Sequence, residues 1–340
     1  LAALSDDAHA EYLAFDNRLR AESHPDDPPR TLEAHLARQR SIPTFLEIHH
    51  WEIRDTAIAS NLIVGFASLQ IAHQEENRHI ASFDIDVLPE RRHEGIASRL
   101  LHPLAVAASE KGRTLLMSHT HDRTPAGETF LRSIGAEPGL HSHTNQLVLP
   151  EIDPAFLKGY REEGEKRGNG DFELIRCQSP IPEELLVSAV ELGNMVARDI
   201  PRGDLTMEQE QYTPEQIREM DRMGMASGAT MLALIAKERS SGTFVGMTTM
   251  TWRSHTPYVA EQGITGVLPE YRGRGLARTL KAVMLEQLME SYPQVRFVRT
   301  DNADSNAAML AINNALGFRP YRSEIHWQVP TERVLTYFAG

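Results

Sequence analysis

The tetrapeptide Val-Leu-Pro-Glu occurs twice in this chain, at 87–90 and at 267–270. Each copy is followed at the same spacing by an arginine, a glycine and an alanine: Arg92, Gly95 and Ala97, then Arg272, Gly275 and Ala277. The offset of 180 residues is one domain length, so the repeat marks a duplicated domain rather than a short-period array. A chain of 340 residues has room for two such cores.

Hydrophobic periodicity supports the duplication. In the first half, strand-like alternation covers 45–52, 62–72 and 80–87, a helical pattern covers 95–111, and another strand covers 114–118. In the second half the same order runs through 231–237, 243–253 and 260–267, a helix at 275–291 and a strand at 295–300. Two helical segments lead each half: 6–20 with a second after Pro29, and 182–198 with a second at 214–223. This order predicts an α/β chain of α+β mixed-sheet type with two tandem domains, 1–155 and 156–340. Each is expected to be a mostly antiparallel sheet flanked by helices. The charged, glycine-containing stretch 158–171 buries little apolar area in this reading and serves as the linker.

Composition narrows the function classes. With 47 acidic against 35 basic side chains, the formal charge of −12 argues against a nucleic-acid binder, because a phosphate backbone demands a basic face. No run approaches the roughly 20 apolar residues of a membrane span. Asp6 and Asp7 stand where an export signal carries basic residues, so a cytoplasmic protein without membrane partners is expected. Cys177 is the only cysteine, which leaves no intrachain disulfide and no thiolate zinc cluster; between Arg176 and Gln178 it reads as a small packing residue. His119 and His121, and His141 and His143, place imidazoles two apart, but Asp122 is the only nearby third ligand, and no metal site is expected.

The second loop, Arg272-Gly273-Arg274-Gly275-Leu276-Ala277, joins a strand ending at Val267 to a helix. Glycines let the backbone approach an anion, the free N–H groups at a helix start point at it, and Arg272 and Arg274 add charge-assisted contacts. The pattern fits a pyrophosphate-bearing ligand. It has no Gly-Lys-Ser/Thr of a Walker loop, and it lacks the three glycines of a dinucleotide fingerprint.

With the preceding Val267-Leu268-Pro269-Glu270-Tyr271, this loop resembles motif A of the GNAT family of N-acetyltransferases. The later stretch 306–318, with Asn306 at its start and Gly317-Phe318 at its end, resembles that family's motif B. The double arrangement is similar to that of tandem acetyltransferases of the mycothiol synthase type, without a detailed match in substrate-binding sequence. The resemblance implies acetyl-CoA as co-substrate, cradled by Val267, Leu268, Arg272, Gly273, Arg274, Gly275, Leu276, Ala277 and Asn306. It implies that backbone N–H groups near Val267 polarise the thioester carbonyl, and that a splayed strand after Val267 takes the pantetheine arm. The family's base commonly lies on the strand entering the loop. Counting back from Val267 at period two puts Thr265, Gly263 and Glu261 on one face, and Glu261 is the candidate catalytic base.

The sequence also departs from the family pattern. The tyrosine that often protonates the departing thiolate is replaced by Asn313, leaving Tyr258, Tyr271 or unaided departure. In the first half Glu94 stands where the second has Arg274, and Thr124 where it has Asn306. A carboxylate beside a pyrophosphate is repulsive, so the first domain is expected to be a degenerate scaffold that helps form the acceptor pocket, with Asp84 and Asp86 structural or solvated. Met207, Met220, Met223 and Met225 read as helix packing, in a segment that shapes the acceptor site in this family; the turn 24–29 is a candidate for the pocket rim, and the acidic Asp204, Glu208 and Glu210 are a solvated face or a lining suited to a cationic amine. The expected function is an acetyl-CoA-dependent N-acetyltransferase acting on a small-molecule amine, as a monomer or homodimer. The alternatives are an acyl-CoA-binding sensor without turnover, and a protein N-acetyltransferase.

Overall fold

A computed structural model describes residues 5–40, 42–55 and 62–338; residues 1–4, part of the stretch read for an export signal, lie outside them. The first half forms helices α1 (Asp6–Ser23) and α2 (Leu32–Arg40), strands β1 (Leu46–Asp55), β2 (Leu62–Ala72) and β3 (Ile80–Val87), helix α3 (Ile96–Glu110), strand β4 (Leu115–His121), helix α4 (Pro125–Ser133) and strand β5 (Glu137–Val148). The second half continues with α5 (Pro154–Arg167), β6 (Phe172–Gln178), α6 (Glu183–Ala197), α7 (Pro214–Ala226), β7 (Ala229–Glu238), β8 (Phe244–Arg253), β9 (Val259–Val267), α8 (Leu276–Ser291), β10 (Phe297–Ala303), α9 (Ala307–Leu316), β11 (Arg319–Pro330) and α10 (Thr331–Tyr337). The expected order of strands and helices is present in both halves.

Two compact units result, and they interleave in sequence where contiguous halves 1–155 and 156–340 were expected. One contains residues 1–142, 202–208 and 322–340; the other contains 143–201 and 209–321. In the first unit the strand order is β1-β2-β3-β4-β11, with β3/β4 parallel and the other described pairs antiparallel. The second unit runs β5-β10-β9-β8-β7-β6, again with a single described parallel pair, β9/β10. Each sheet is thus completed by a strand from the opposite half of the sequence. Periodicity identifies a strand but not its partner, since pairing is non-local.

Each unit has its own core. In the first, Ile63, Leu69 and Phe83 of the sheet pack with Leu100, Leu101 and Leu104 of α3 and with Trp327 of β11, whose indole N–H donates to Thr120 Oγ1 at 2.8 Å. In the second, Leu232, Leu234, Val245 and Val298 pack with Leu280, Met284 and Leu288 of α8. Cys177 packs beside the smaller cluster under α6, in the role expected of it, and burial raises its thiol pKa.

The stretch 158–171 is not a linker. Asp153 caps α5 by accepting from the Ala155 N–H at 2.8 Å, and Leu157, Tyr160 and Gly164 fall on one buried face. Its charges occupy the solvated face, where Arg161–Glu165 and Glu163–Arg167 pair at i,i+4. A helical stripe only one residue wide is concealed among those charges. Gly164 lets α5 lie against α8: an added Cβ there meets Thr279 Oγ1 at 2.2 Å and the Gly275 carbonyl oxygen at 3.1 Å. Among the described residues, no helix is long and apolar enough to cross a membrane.

Candidate functional site

In the second unit, β9 ends at Val267, and Pro269 opens a single 3-10 turn, Pro269–Tyr271. Gly273 and Gly275 then adopt left-handed φ of +76° and +78°. Alternation of this kind turns successive N–H groups to one side, and α8 starts after Gly275 with no side chain capping it among the described residues. An anion is the natural partner for those donors. Nothing lies within 4 Å of a Cβ built on Gly273, so the space over the loop is open, whereas one on Gly275 meets the Gly164 carbonyl oxygen at 2.8 Å.

The structure divides the residues expected at the cofactor site by task. Val267 and Leu276 are core residues, and Ala277 packs against the same cluster. The Leu268 N–H donates to the Val245 carbonyl at 2.8 Å, so it is not a free oxyanion donor. Arg272 braces the loop through Nε, which donates to the Val267 carbonyl at 3.0 Å, and its outer nitrogen pairs with Asp199. Arg274 pairs with Asp171 and lies over the Phe172 ring, 4.6 Å from its centroid. Both carboxylate partners are solvent-exposed, so a phosphate can displace them at little cost. Asn306 is the N-cap of α9, its Oδ1 accepting from the Met309 N–H at 3.3 Å.

Strands β9 and β10 pair only through Val259–Glu261 and Phe297–Arg299 and then diverge. The opening therefore lies before Val267 rather than after it. It leaves the β10-facing edge of β9 from residue 262 onward available to an extended polar chain.

Glu261 does not share a face with Val267. The register passes from Thr248↔Thr265 to Met250↔Gln262, so β9 carries one extra residue opposite Thr249. Such a bulge reverses the alternation. Val267 and Thr265 point with Gly246 toward α8, while Met247 and Ile264 pack under α6 and Glu261, paired with Thr251, lies on that second face. Gln262 replaces it on the α8 side, where its amide donates to Thr248 Oγ1 at 2.9 Å and to the Thr249 carbonyl at 2.6 Å. The latter bond satisfies the carbonyl that the bulge removes from the ladder. Glu261 is exposed and pairs with Arg253, Oε2 to Nη1, at 2.6 Å.

Neither tyrosine considered as an acid is free for that work. Tyr258 lies nine residues before Val267, roughly 30 Å along a strand. Tyr271 donates its hydroxyl to Glu238 at 3.1 Å, and its pKa is raised by desolvation and that carboxylate. Asn313 is fully buried, its amide donating to Asn302 Oδ1 at 2.7 Å while its own Oδ1 finds no partner among the described residues. Lys281 in α8 carries no signal in the sequence that singles it out. It is 1% exposed, has its Nζ 5.4 Å from the Phe318 ring centroid, and has a pKa lowered to about 7 by desolvation.

Of the candidate acceptor-lining acids, Asp204 and Glu208 belong to the first unit, and Glu210, in the second, accepts from the Tyr212 hydroxyl at 2.9 Å. Met220, Met223 and Met225 lie on α7, while Met207 lies in the 202–208 segment of the first unit. His119 pairs with Asp84 at 3.3 Å and His143 with Asp304 at 2.5 Å; among the described residues no three ligands converge on a metal position.

The first unit repeats the loop backbone with other side chains. Gly95 has φ +76° and starts α3, but His93 takes the left-handed conformation that Gly273 takes in the second copy. Arg92 again reaches the strand-end carbonyl, Val87, at 3.3 Å. Its outer nitrogens hold both oxygens of Glu22, at 2.8 and 2.5 Å, and Arg91 pairs with Glu94 and Asp55. Strands β3 and β4 also diverge after three pairs. On the face of this sheet that bears α1, a cavity of about 910 Å³ reaches from the loop to Asp84 and Asp86, and the turn at His24 forms part of its wall.

In the second unit, then, two parallel strands part on the approach to a loop with two left-handed glycines and a helix start. The chain belongs to the Acetyltransferase (GNAT) family, whose profile matches residues 7–135 and 197–318, so it is a tandem N-acetyltransferase. A tandem GNAT protein from the clavulanic acid biosynthesis pathway shares the fold, with 24% identity, a TM-score of 0.76 and 97% of each chain covered. A GCN5-related N-acetyltransferase from Sphaerobacter thermophilus matches with 13% identity and a TM-score of 0.68, over 97% of this chain and 94% of that one. No match is found among curated proteins.

Proposed function

We propose that the second unit binds acetyl-CoA and transfers its acetyl group to the amine of a small molecule. The observation that carries this reading is the open edge of β9, which leads through the turn and glycine loop of residues 268–275 to the start of α8. The co-substrate supplies an acyl group activated as a thioester. The N–H groups of Gly273, Gly275 and the first turn of α8, with Arg274 released from Asp171, receive the pyrophosphate. The edge from Gln262 to Val267 receives the amides of the pantetheine arm. Asn306 keeps its amide N–H₂ for the carrier while its oxygen caps α9.

An alkylammonium must lose a proton before it attacks a thioester. Glu261, accessible on the sheet face opposite α8, takes that proton through water once Arg253 yields it. The lone pair of the neutral amine forms the amide bond, and the thiolate leaves. Asn313 offers no hydroxyl to protonate it, and this favours a second reading in which acyl-CoA is bound without turnover.

Calorimetry with acetyl-CoA tests the first step. Gly275→Glu is a poor probe because Gly275 is packed against α5; Arg274→Glu reverses a partly exposed charge on the loop without filling a packed position. Reversing one charge a few ångströms from a pyrophosphate in solvent changes binding by roughly 1–2 kcal/mol, about tenfold in Kd. Absence of binding to the wild type rejects both readings. Thiol release with a panel of amines and lysine peptides then separates transferase from sensor and small-molecule from protein acceptor. Wild-type turnover in Glu261→Gln removes that residue as the base.

A further inference from the structure

Arg113 follows α3 in the first unit, and its backbone is pinned on both sides. Its N–H donates to the Ala108 carbonyl at 2.9 Å, and its carbonyl accepts from the Thr331 hydroxyl at 2.8 Å. The side chain enters the turn between β2 and β3. There one outer nitrogen donates to the Arg78 carbonyl and the other to the Ala72 carbonyl, the latter at 3.3 Å. A single guanidinium thus ties the two arms of the turn together. It is 8% exposed, and among the described residues no carboxylate pairs with it, although Glu75 and Glu76 belong to the same turn.

Two buried donors of this turn have no hydrogen-bond partner among the described residues: Arg113 Nε and the Gln74 amide nitrogen, Nε2. Gln74 is 7% exposed and lies in sequence between the two carbonyls that Arg113 holds; its own carbonyl accepts from Arg78 Nε at 3.4 Å. A buried lysine can shed its charge by losing a proton, but a guanidinium keeps its proton at any physiological pH. Carbonyl dipoles offset part of that charge, and a buried cation remains costly until an anion completes its shell. The complement that satisfies both donors and the charge is negative, accepts hydrogen bonds and is compact enough for an enclosed turn. We propose that the β2–β3 turn of the first unit binds a small inorganic monoanion of the chloride type, held by Arg113 Nε and Gln74 Nε2.

The outer side of the same turn shows what such an ion would steady. Asn77, with a left-handed φ of +58°, clasps the backbone of Glu208: its Oδ1 accepts from the Glu208 N–H at 2.7 Å and its Nδ2 donates to the Glu208 carbonyl at 3.1 Å. A ring nitrogen of His79 lies 3.4 Å from the Thr206 carbonyl. Segment 202–208 belongs to the first unit, so the turn that encloses the ion also grips this segment. The site is independent of the acetyl-transfer reading.

Chloride-35 NMR on the full chain tests the proposal directly. The wild type should broaden the chloride line, Arg113→Met should lose that broadening, and Gln74→Leu, which removes one donor and keeps the charge, should weaken chloride binding severalfold. Urea unfolding of the first unit, followed by Trp51 and Trp327 emission, gives a second readout at constant ionic strength, with chloride compared against gluconate, an anion too large for the turn. For a dissociation constant of about 20 mM, about 0.2 M chloride should lower the unfolding equilibrium constant about tenfold. Gln74→Glu places a carboxylate where the ion would sit, and should resist urea in gluconate as well as the wild type does in chloride, with no further response to chloride. Equal broadening in wild type, Arg113→Met and Gln74→Leu would overturn the proposal. So would a wild-type unfolding midpoint that is the same in both salts, the result expected of a buried water or of a Gln74 amide turned to accept from Arg113. A Gln74→Glu variant that still responds to chloride like the wild type would overturn it as well.

Discussion

Gln262 is the residue whose removal should most clearly expose how the second unit's site is held. It is buried, and its amide makes two hydrogen bonds, to Thr248 Oγ1 at 2.9 Å and to the Thr249 carbonyl at 2.6 Å; Thr248 in turn meets Thr265 Oγ1 at 2.7 Å. Gln262→Met keeps the volume and removes only the donor. Two net hydrogen bonds are worth about 2 kcal/mol together, and stranding the bulge carbonyl of Thr249 adds roughly 1–3 kcal/mol. Methionine regains part of this because a polar amide no longer has to be desolvated, so a net loss of about 2 kcal/mol is expected. Gln262→Ala also removes side-chain packing and should lose about 1 kcal/mol more. Gln262→Glu, which turns an acceptor toward the Thr249 carbonyl at neutral pH, should be the worst of the three. Urea unfolding followed by circular dichroism and by tryptophan emission provides the assay; Trp252 reports from the second unit, and two units can unfold separately. A loss below about 0.5 kcal/mol in Gln262→Met would show that the bulge does not depend on this amide and would refute the reasoning.

Gly164→Ala should destabilise the second unit by about 1–3 kcal/mol despite the better helix propensity of alanine, because its Cβ is directed at Thr279 Oγ1, 2.2 Å away. It should also weaken acetyl-CoA binding by displacing the start of α8; a stabilised variant with wild-type affinity by calorimetry would contradict this. Lys281→Met should stabilise the protein, most strongly at and below pH 7. The folded-state pKa of Lys281 is lowered to about 7 from 10.5, so the unfolded chain binds the extra proton between those values and wild-type stability rises with pH across that window. The advantage of Met, on the order of 3 kcal/mol at pH 7, should therefore shrink as melts are repeated toward pH 10, and a pH-independent difference would argue against a buried, uncompensated amine.

The duplication, the order of strands and helices, and the phosphate-receiving loop were legible in the sequence because each follows local rules: spacing, alternation, and glycines where φ must be positive. Strands β2 and β3 fall on the intervals alternation predicts, and Gly275 begins α8 as a loop-to-helix glycine should. Only the tertiary structure decided which sheet β5 and β11 complete, because strand pairing joins residues that are distant in the chain. It also decided the face occupied by Glu261, since one inserted residue opposite Thr249 reverses a period-two count that is valid on either side of it. The charged segment became α5 because the glycine that looked like a break is the residue that lets two helices touch. The ion pairs of Arg30 with Asp16 and of Arg92 with Glu22 join residues far apart in the chain, and they too exist only once the side chains have been brought together.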